Sequence, residues 1–437
     1  MLDIKFIREN KEEIKIAAVN KNIELDVDYL LELDDMRKEM ITEIDNLRAK
    51  RNNLAKINHG GKPSEESIQE GKSLKDEITK LEEKFGEIDS KYLDLMVKVP
   101  TIPSPDTPVN QDDSGNVEIL QWGDIQKFNF EPKTHIELAE SLDIVDFEKG
   151  TKVAGYRGYY LKGDGALLVM ALMMYALDKM AQKGFTPFIP PTLVKSFPLF
   201  GSGYFKGREY NPEIDEIYQV STPDKDATGE KIKEQKFLIG TAEPALLAYF
   251  SDQTFKEEDL PIKVSGFSPC YRSEIGSYGK DTKGLYRVHE FMKIEQVVVS
   301  RADVNESNKL QDEMLDISKE LHEDLKLPYR ILSICTGDMA AGKYRAFDIE
   351  AWMPGMNRWG ETGSASNFVD WQSRRLNIRY VDKDGNKKFV HLLNDTALPS
   401  VRPFIAIIEN YQQADGSIII PEVLRKYMGG REVISKK

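Results

Sequence analysis

The chain has 437 residues with a formal net charge of −13 at pH 7, too long for one ordinary core and too acidic overall for a globally basic nucleic-acid coat, although one basic surface on one domain remains compatible. Two cysteines, Cys270 and Cys335, and five scattered histidines exclude a disulfide scaffold and any zinc site legible from ligand spacing. The chain opens without a secretory n-region or long apolar h-region, and its longest apolar run, Ala166 to Leu177, is too short for a bilayer, so the expectation is a cytoplasmic protein that does not enter membranes.

Residues Met1 to about Ile23 predict a short amphipathic helix carrying Phe6, Ile7, Ile14 and Ile16. Two long helices follow. In the first, Leu33, Met40, Leu47 and Leu54 repeat every seven, with Leu30, Met36 and Ile44 on the same side and Arg51 interrupting the stripe. In the second, Leu74, Ile78, Leu81, Phe85, Ile88, Tyr92, Leu95 and Val99 alternate by four and three, the seam of a coiled coil. The break Asn58 to Ser64, with Gly60, Gly61 and Pro63, is a turn, so the pair predicts an antiparallel hairpin over about 27–98. At about 1.5 Å per residue its arm is roughly 40 to 45 Å long. Arg48, Lys50, Arg51, Lys56 and Lys62 make its tip basic. Alone, such an arm reads as a solvated coiled coil used for dimerisation.

Val99-Pro100-Thr101-Ile102-Pro103-Ser104-Pro105 and Pro108 predict an extended linker. The organisation expected is thus an N-terminal domain over 1–99, a linker over 100–116 and a body over 117–437. In that body strands and helices mix without repeat and no GxGxxG follows a strand, which predicts an α+β fold and disfavours a doubly wound nucleotide fold. Ala166 to Ala181 predicts a helix, and Gly184 to Pro191 a strand that ends in proline.

The chemistry concentrates in Pro269-Cys270-Tyr271-Arg272-Ser273-Glu274 and, after a loop with three glycines, Lys280, Asp281 and Lys283, in Tyr286-Arg287-Val288-His289-Glu290-Phe291-Met292-Lys293-Ile294-Glu295. Read as two antiparallel strands, alternation puts Arg272 with Glu274 on one face and Arg287, His289 and Phe291 on one face, with Lys293 and Glu295 in the same register. By themselves, Arg/Glu pairs on a hairpin read equally well as solvated cross-strand pairs.

This stretch resembles motif 2 of the class II aminoacyl-tRNA synthetases, in the spelling of the seryl-tRNA synthetases of bacterial type. The resemblance extends along nearly the whole chain. About 164–191 is similar to motif 1, Ile239-Gly240-Thr241-Ala242-Glu243 to the TxE loop, and 391–414, within Leu393 to Ser417, to motif 3; Phe347 to Gly355, Asn367 to Tyr380 and the closing Tyr427-Met428-Gly429-Gly430 match as well. It implies an antiparallel-sheet catalytic domain behind a coiled-coil arm, a homodimer formed through motif 1, and ATP, L-serine and tRNA(Ser) as substrates, with tRNA(Sec) left open as a further acceptor. It also implies Mg²⁺ and no zinc.

Site roles follow from the same resemblance. Arg272, Arg287 and Arg402 would carry catalysis by binding phosphate oxygens, because a guanidinium fork suits them. Ser273, Glu274, Val288 and Phe291 would complete an adenine pocket, with Glu361, Thr362, Gly363 and Ser364 along the phosphates. Glu361 and Ser364 would hold the metal, with Glu350 as a supporting carboxylate. Thr241, Ala242, Glu243, Arg272, Glu295, Asn394 and Thr396 would bind serine, and Arg48, Lys50, Arg51 and Lys56 would meet tRNA.

The match departs in places. Glu361-Thr362-Gly363-Ser364 replaces the family's hydrophobic residue and two serines, keeping the second hydroxyl. In motif 3, Asp395 and Val401 stand where the family commonly has glycine, and Pro399 and Pro403 are added, which predicts a different loop path. Two other functions fit parts of the chain: a paralogue that delivers an aminoacyl adenylate to a carrier protein, against which the arm argues, and a non-catalytic RNA-binding scaffold, against which Arg272, Glu274, Glu295, Glu361 and Arg402 together argue.

Overall fold

The structure is a computed structural model that describes residues 1–57, 64–221, 225, 228–230, 234–275, 279, 281 and 283–436. Chain contacts divide it into two units, Met1–Pro100 and Thr101–Lys437.

The first unit opens with α1 (Ile4–Glu9) and α2 (Lys11–Asn20), where the apolar pattern predicts one helix. Asn10, at φ −116° and ψ 36°, breaks it. Ile7 and Ile14 are buried whereas Phe6 and Ile16 are exposed, so only half of the expected apolar face serves the core. Next come α3 (Val27–Ile57) and α4 (Glu65–Met96), the latter capped by Ser64, whose hydroxyl accepts the Ser67 N–H. They are antiparallel: Arg37 meets Asp89, Arg48 meets Glu82 and Leu54 lies beside Gly71, so partners descend one helix as they climb the other. Leu30, Leu33, Met40, Ile44 and Leu47 are buried, as are Ile78, Ile88 and Tyr92. Met36, expected on the same side, is exposed. Arg37 takes that level of the seam, its guanidinium 3.9 Å from the Tyr92 ring centre and hydrogen-bonded to Asp89, which compensates a charge packed on an aromatic face. The predicted turn, with Lys62, lies outside the described residues apart from Ser64.

The second unit is built on an antiparallel sheet. Its strands are β1 (Val117–Trp122), β2 (Thr186–Phe188), β3 (Ile262–Tyr271), β4 (Glu290–Ser300), β5 (Tyr329–Ser333), β6 (Arg345–Met353), β7 (Arg358–Asn367) and β8 (His391–Pro399). Among the described residues their order is β1-β5-β6-β7-β8-β4-β3-β2, antiparallel except where edge strand β2 runs parallel to β3. β4 and β8 are central and read as nearly continuous buried runs, Val297-Val298-Val299 and His391 to Pro399, because helices cover the sheet. α5 (Gly163–Gln182), α6 (Val304–Asp324) and α7 (Val401–Asn410) pack on it. Phe404, Ile405, Ile407 and Ile408 of α7 are all fully buried, each contributing roughly 1.5–3 kcal/mol by leaving water. The Pro-rich segment lies extended on this unit: Thr101 N–H donates to Ala341 O, Ser104 N–H to Tyr344 O, and Thr336 N–H to Pro108 O.

Two register shifts fall in the centre of the sheet. Between β6 and β7, Ile349 pairs with Gly363 and Glu350 with Glu361, leaving Thr362 as the extra residue. Between β4 and β8, Ile294 pairs with Leu398 and Glu295 with Thr396, leaving Ala397 extra. Such bulges re-aim the neighbouring side chains. The altered motif 3 positions do not form a rerouted loop, contrary to expectation. Asp395 and Pro399 are strand residues of β8, while Val401 and Pro403 sit in the first turn of α7, where a missing N–H costs a helix nothing.

Both cysteines are free and buried. Among the described residues, no helix is long and apolar enough to cross a membrane.

Candidate active site

The ladder between β3 and β4 ends before the charged residues that the alternation places on it. Glu290 pairs with Tyr271, and one further hydrogen bond, Arg272 N–H to His289 O at 3.0 Å, closes the strands. Arg272 and Glu274 therefore lie beyond β3, and Arg287 and His289 precede β4. Glu274 has φ +55°, a left-handed conformation uncommon for a residue with a Cβ, and this turns the chain away from the sheet. The side chains still converge. A cleft open to solvent is lined by Arg272, Glu274, Arg287, Val288 and Phe291 from this region, by Glu361, Thr362 and Gly363 of β7, and by Thr396 and Arg402. Lys293, Tyr286, Pro399 and Val401 also line it.

Among the described residues four cations face the cleft, and three are matched. Arg287 Nη1 lies 2.6 Å from Glu274 Oε2, Arg402 Nη1 lies 3.0 Å from Glu361 Oε2, and Lys293 Nζ lies 2.6 Å from Glu295 Oε2. Arg272 makes no ion pair with a described carboxylate: its Nε donates to Gly240 O at 3.3 Å, and its guanidinium lies 5.4 Å from the Phe291 ring centre. Burial pushes the Glu361 carboxyl up, but the charge and hydrogen bond of Arg402, with Arg272 behind it, hold it below its ordinary value. Arg157, absent from the sequence reading, adds a second guanidinium 3.8 Å from Glu274.

A smaller polar cluster continues the cleft. Lys293 Nζ donates to Thr396 Oγ1 at 3.0 Å, and Thr396 Oγ1 donates to Glu295 Oε2 at 3.2 Å. Beside it, Glu243 Oε1 accepts Asn394 Nδ2 at 2.8 Å and Gln372 Nε2 at 2.7 Å. Burial, then the nearby Glu295, push the Glu243 carboxyl up to about 7. Thr241 Oγ1 is buried without a hydrogen-bond partner among the described residues, a polar atom of the kind that a ligand group satisfies. Ser273 Oγ is likewise bare. The Ala242 side chain, by contrast, belongs to an apolar cluster with Leu246 and Val264, so only its backbone is available to a ligand. The Thr362 hydroxyl also turns inward, lying 3.2 Å from Ile349 O and 2.8 Å from His322 Nε2.

No group of three or more His, Cys, Asp or Glu that could hold a metal occurs among the described residues. The Glu361 carboxylate still fits Mg²⁺, which takes one or two protein oxygens and completes its shell with phosphate and water. Glu350 is engaged elsewhere, accepting Arg330 Nε at 2.6 Å. Asp348 is the carboxyl nearer this spot: it pairs with Ser364 across the ladder, and burial followed by Glu361 push it up to about 7. On the arm, Arg48 is held by Glu82 at 2.8 Å, while Lys50, Arg51 and Lys56 are exposed and outside ion pairs with described residues.

Sequence reasoning placed Lys293 on the right strand and missed its position in the pocket. The signal was present in the alternation Phe291, Lys293, Glu295. For Asp348 and Arg157 no local pattern distinguishes the residue, because each reaches the site only through tertiary contacts.

Comparison with known proteins agrees with this geometry. The family model for the seryl-tRNA synthetase N-terminal domain matches residues 1–103, and that for the tRNA synthetase class II core domain (G, H, P, S and T) matches residues 218–411. A serine–tRNA ligase of Treponema denticola is 42% identical over 98% of this chain and 99% of its own, and one of Dictyoglomus turgidum is 41% identical over 100% of both. The crystal structure of seryl-tRNA synthetase from Pyrococcus horikoshii complexed with ATP superposes with a TM-score of 0.86 at 36% identity, covering 100% of both chains. With its cleft cations and carboxylates set on an antiparallel sheet and its relatives alike from end to end, the chain belongs to the seryl-tRNA synthetases, the class II aminoacyl-tRNA synthetases that are serine–tRNA ligases.

Proposed function

We propose that this chain activates L-serine with ATP and transfers it to tRNA(Ser) in the cytoplasm, and that the cleft residues act as follows. The observation that carries the reading is Arg272, the one cleft cation without a described carboxylate partner, surrounded by three matched pairs. An unmatched, half-buried guanidinium attracts an anion, and its fork suits a phosphate and a carboxylate together. Arg272 would hold the serine carboxylate against the α-phosphorus of ATP. A carboxylate oxygen then bonds to that phosphorus as its bond to the pyrophosphate oxygen breaks, giving seryl-adenylate and pyrophosphate. Positioning and charge stabilisation suffice, without a nucleophilic side chain.

The adenine would lie on Phe291, with the Val288 backbone and Glu274 at its edge and Ser273 behind. Arg402, 4.6 Å from the Tyr286 ring centre, would cover the other side and take the γ-phosphate, leaving Glu361 as the nucleotide enters, while Arg287 would leave Glu274 for the triphosphate tail. Glu361, with Ser364 and Asp348 beside it, would hold Mg²⁺, which supplies charge neutralisation to phosphate oxygens. Thr362 and Gly363 shape the wall there; a Cβ at Gly363 would stand 3.1 Å from Thr396 O. The serine ammonium would meet Thr241, Glu243 and Glu295, and its hydroxyl Thr396, with Asn394 held by Glu243. A pocket whose polar groups pair a substrate hydroxyl rejects an analogue lacking it strongly. Threonine is excluded by size, a weaker device. In the second step the terminal ribose hydroxyl of the tRNA attacks the adenylate carbonyl and AMP leaves.

For tRNA, the first unit would be the binding domain, with Lys50, Arg51 and Lys56 as free phosphate ligands and Arg48 partly committed to Glu82. Contacts of this kind weaken steeply with salt. A homodimer is supported by α5, whose Leu167, Met170 and Met174 share one helix face and are 42, 44 and 43% exposed.

Three outcomes test these roles. Arg272→Ala should lower serine-dependent ATP–pyrophosphate exchange by at least about a hundredfold while circular dichroism stays unchanged; exchange at the parent rate would refute the clamp. Deleting residues 49–78 should abolish charging and spare exchange, whereas intact charging would remove the arm from tRNA binding. Glu243, raised to about 7, is neutral below that pH in the folded chain, so its attraction for the serine ammonium grows as pH rises. The KM for serine should therefore fall between about pH 6 and 8, and Glu243→Gln should flatten that dependence; a parent KM constant over the range would contradict the assignment. The sign for stability is opposite: a raised carboxyl pKa favours the folded state at low pH, and that contribution is lost as pH climbs toward 7.

A further inference from the structure

Beneath the amino-acid pocket lies a polar layer that the reaction does not touch. Asp395 of β8 is fully buried, between Asn394 and Thr396 in sequence and on the strand's opposite face. Its cross-strand partner is Gln296 of β4, the second pair after the bulge at Ala397 and next to the Glu295–Thr396 pair. Asp395 Oδ2 accepts Ser318 Oγ of α6 at 2.7 Å and Gln296 Nε2 at 2.9 Å. Gln296 Nε2 also reaches Met314 O at 3.2 Å. A carbonyl accepts only, so this contact fixes the orientation of the amide. Two acceptor atoms remain bare among the described residues, Asp395 Oδ1 and Gln296 Oε1. No described cation pairs with Asp395. Lys293, whose charge reaches it, is bound to Glu295 and Thr396.

A carboxylate in that setting would be a buried, unmatched charge with one oxygen wholly unsatisfied, which is costly. A proton on Oδ1 removes the charge and gives the layer the donor that its bare acceptors lack. Resting on the serine-activating function proposed above, we propose that Asp395 is a neutral acid and a positioning residue for serine: with Gln296 and Ser318 it pins the bulged register of β4 and β8 that aims Thr396, Asn394 and Glu295 into the pocket. Burial pushes its carboxyl well above the ordinary range, in agreement. α6 extends the layer to the other departure from the family spelling. The ring of His322, held neutral by burial at about 4, has Nδ1 2.7 Å from Ser318 O and Nε2 2.8 Å from the hydroxyl of Thr362, the extra residue of the second bulge. The two polar substitutions thus meet on one helix, where a glycine and an apolar residue would leave Ser318 and His322 short of partners.

The test compares Asp395→Asn with Asp395→Ala in serine-dependent ATP–pyrophosphate exchange, with difference infrared spectra of the unsubstituted chain and Asp395→Asn. Taking from Ser318 and Gln296 the acceptor that they share, the Ala variant should raise the KM for serine about tenfold and leave that for ATP within about twofold. The Asn variant, neutral and of the same shape, should keep the KM for serine within about threefold. The unsubstituted chain should show at neutral pH a protonated-carboxyl band that the Asn variant lacks. Equal damage from Asn and Ala, an unchanged KM for serine in the Ala variant, or no such band would overturn the proposal. A merely structural residue would lower the active fraction and kcat without dividing the two KM values. The unsubstituted chain separates the readings: without its own serine-dependent exchange the proposed function fails, whereas exchange in it with any of those three results overturns only the role of Asp395.

Discussion

The cost of holding charge away from water organises this molecule. The centre of the catalytic unit gathers Arg272, Arg287, Lys293, Arg402, Glu243, Glu274, Glu295 and Glu361 around the buried central strands of the sheet. Such a set is tolerable only if each charge is matched, hydrogen-bonded or neutralised by a proton. Arg287, Arg402 and Lys293 are matched by Glu274, Glu361 and Glu295. Glu243 is relieved by a raised pKa and by two amide donors. Arg272 is what remains, and on the reading proposed above the substrates would bring the anions that complete it. Binding would then be an exchange of partners, in which the polyphosphate would draw Arg287 and Arg402 away from their resting carboxylates. The pairs keep the cleft polar and open before the substrates arrive.

The two bulges are the backbone's contribution to the same problem. A regular antiparallel ladder alternates its side chains strictly between faces, and neither β7 nor β8 could then present the observed sets at the cleft. The extra residue at Thr362 sets Glu361 opposite Glu350 and Ser364 opposite Asp348. The extra residue at Ala397 lets Glu295 stand opposite Thr396 while Ile294 stands opposite Leu398 in the core. Each bulge lies beside the cleft, and each is backed by a polar contact with α6, through His322 in one case and through Ser318 and Gln296 in the other.

Much of this was legible in the sequence, unevenly and for identifiable reasons. The arm was plain because a heptad repeat is a local pattern with one packing solution; even so, Met36 and Arg37 exchange places in the seam, since spacing alone does not choose between adjacent positions when a cation can stack on Tyr92. The break at Asn10 was invisible, because the apolar spacing continues through it. The hairpin near Arg272 was legible as chemistry, but its strands stop short of the charged residues, and the shared cleft comes from a loop with Glu274 in a left-handed conformation. Asp395 and Val401 read as lost glycines and hence as a changed loop. In fact they sit in a strand and a helix that need no glycine, and Asp395 has partners supplied by α6. No single stretch of sequence contains that compensation.

The most direct test of this account is transfer of labelled serine onto total tRNA by the purified chain, with ATP and Mg²⁺ present. The account predicts serine esterified to tRNA, dependent on ATP and lost at high salt. A folded chain that leaves competent tRNA uncharged under those conditions would contradict it.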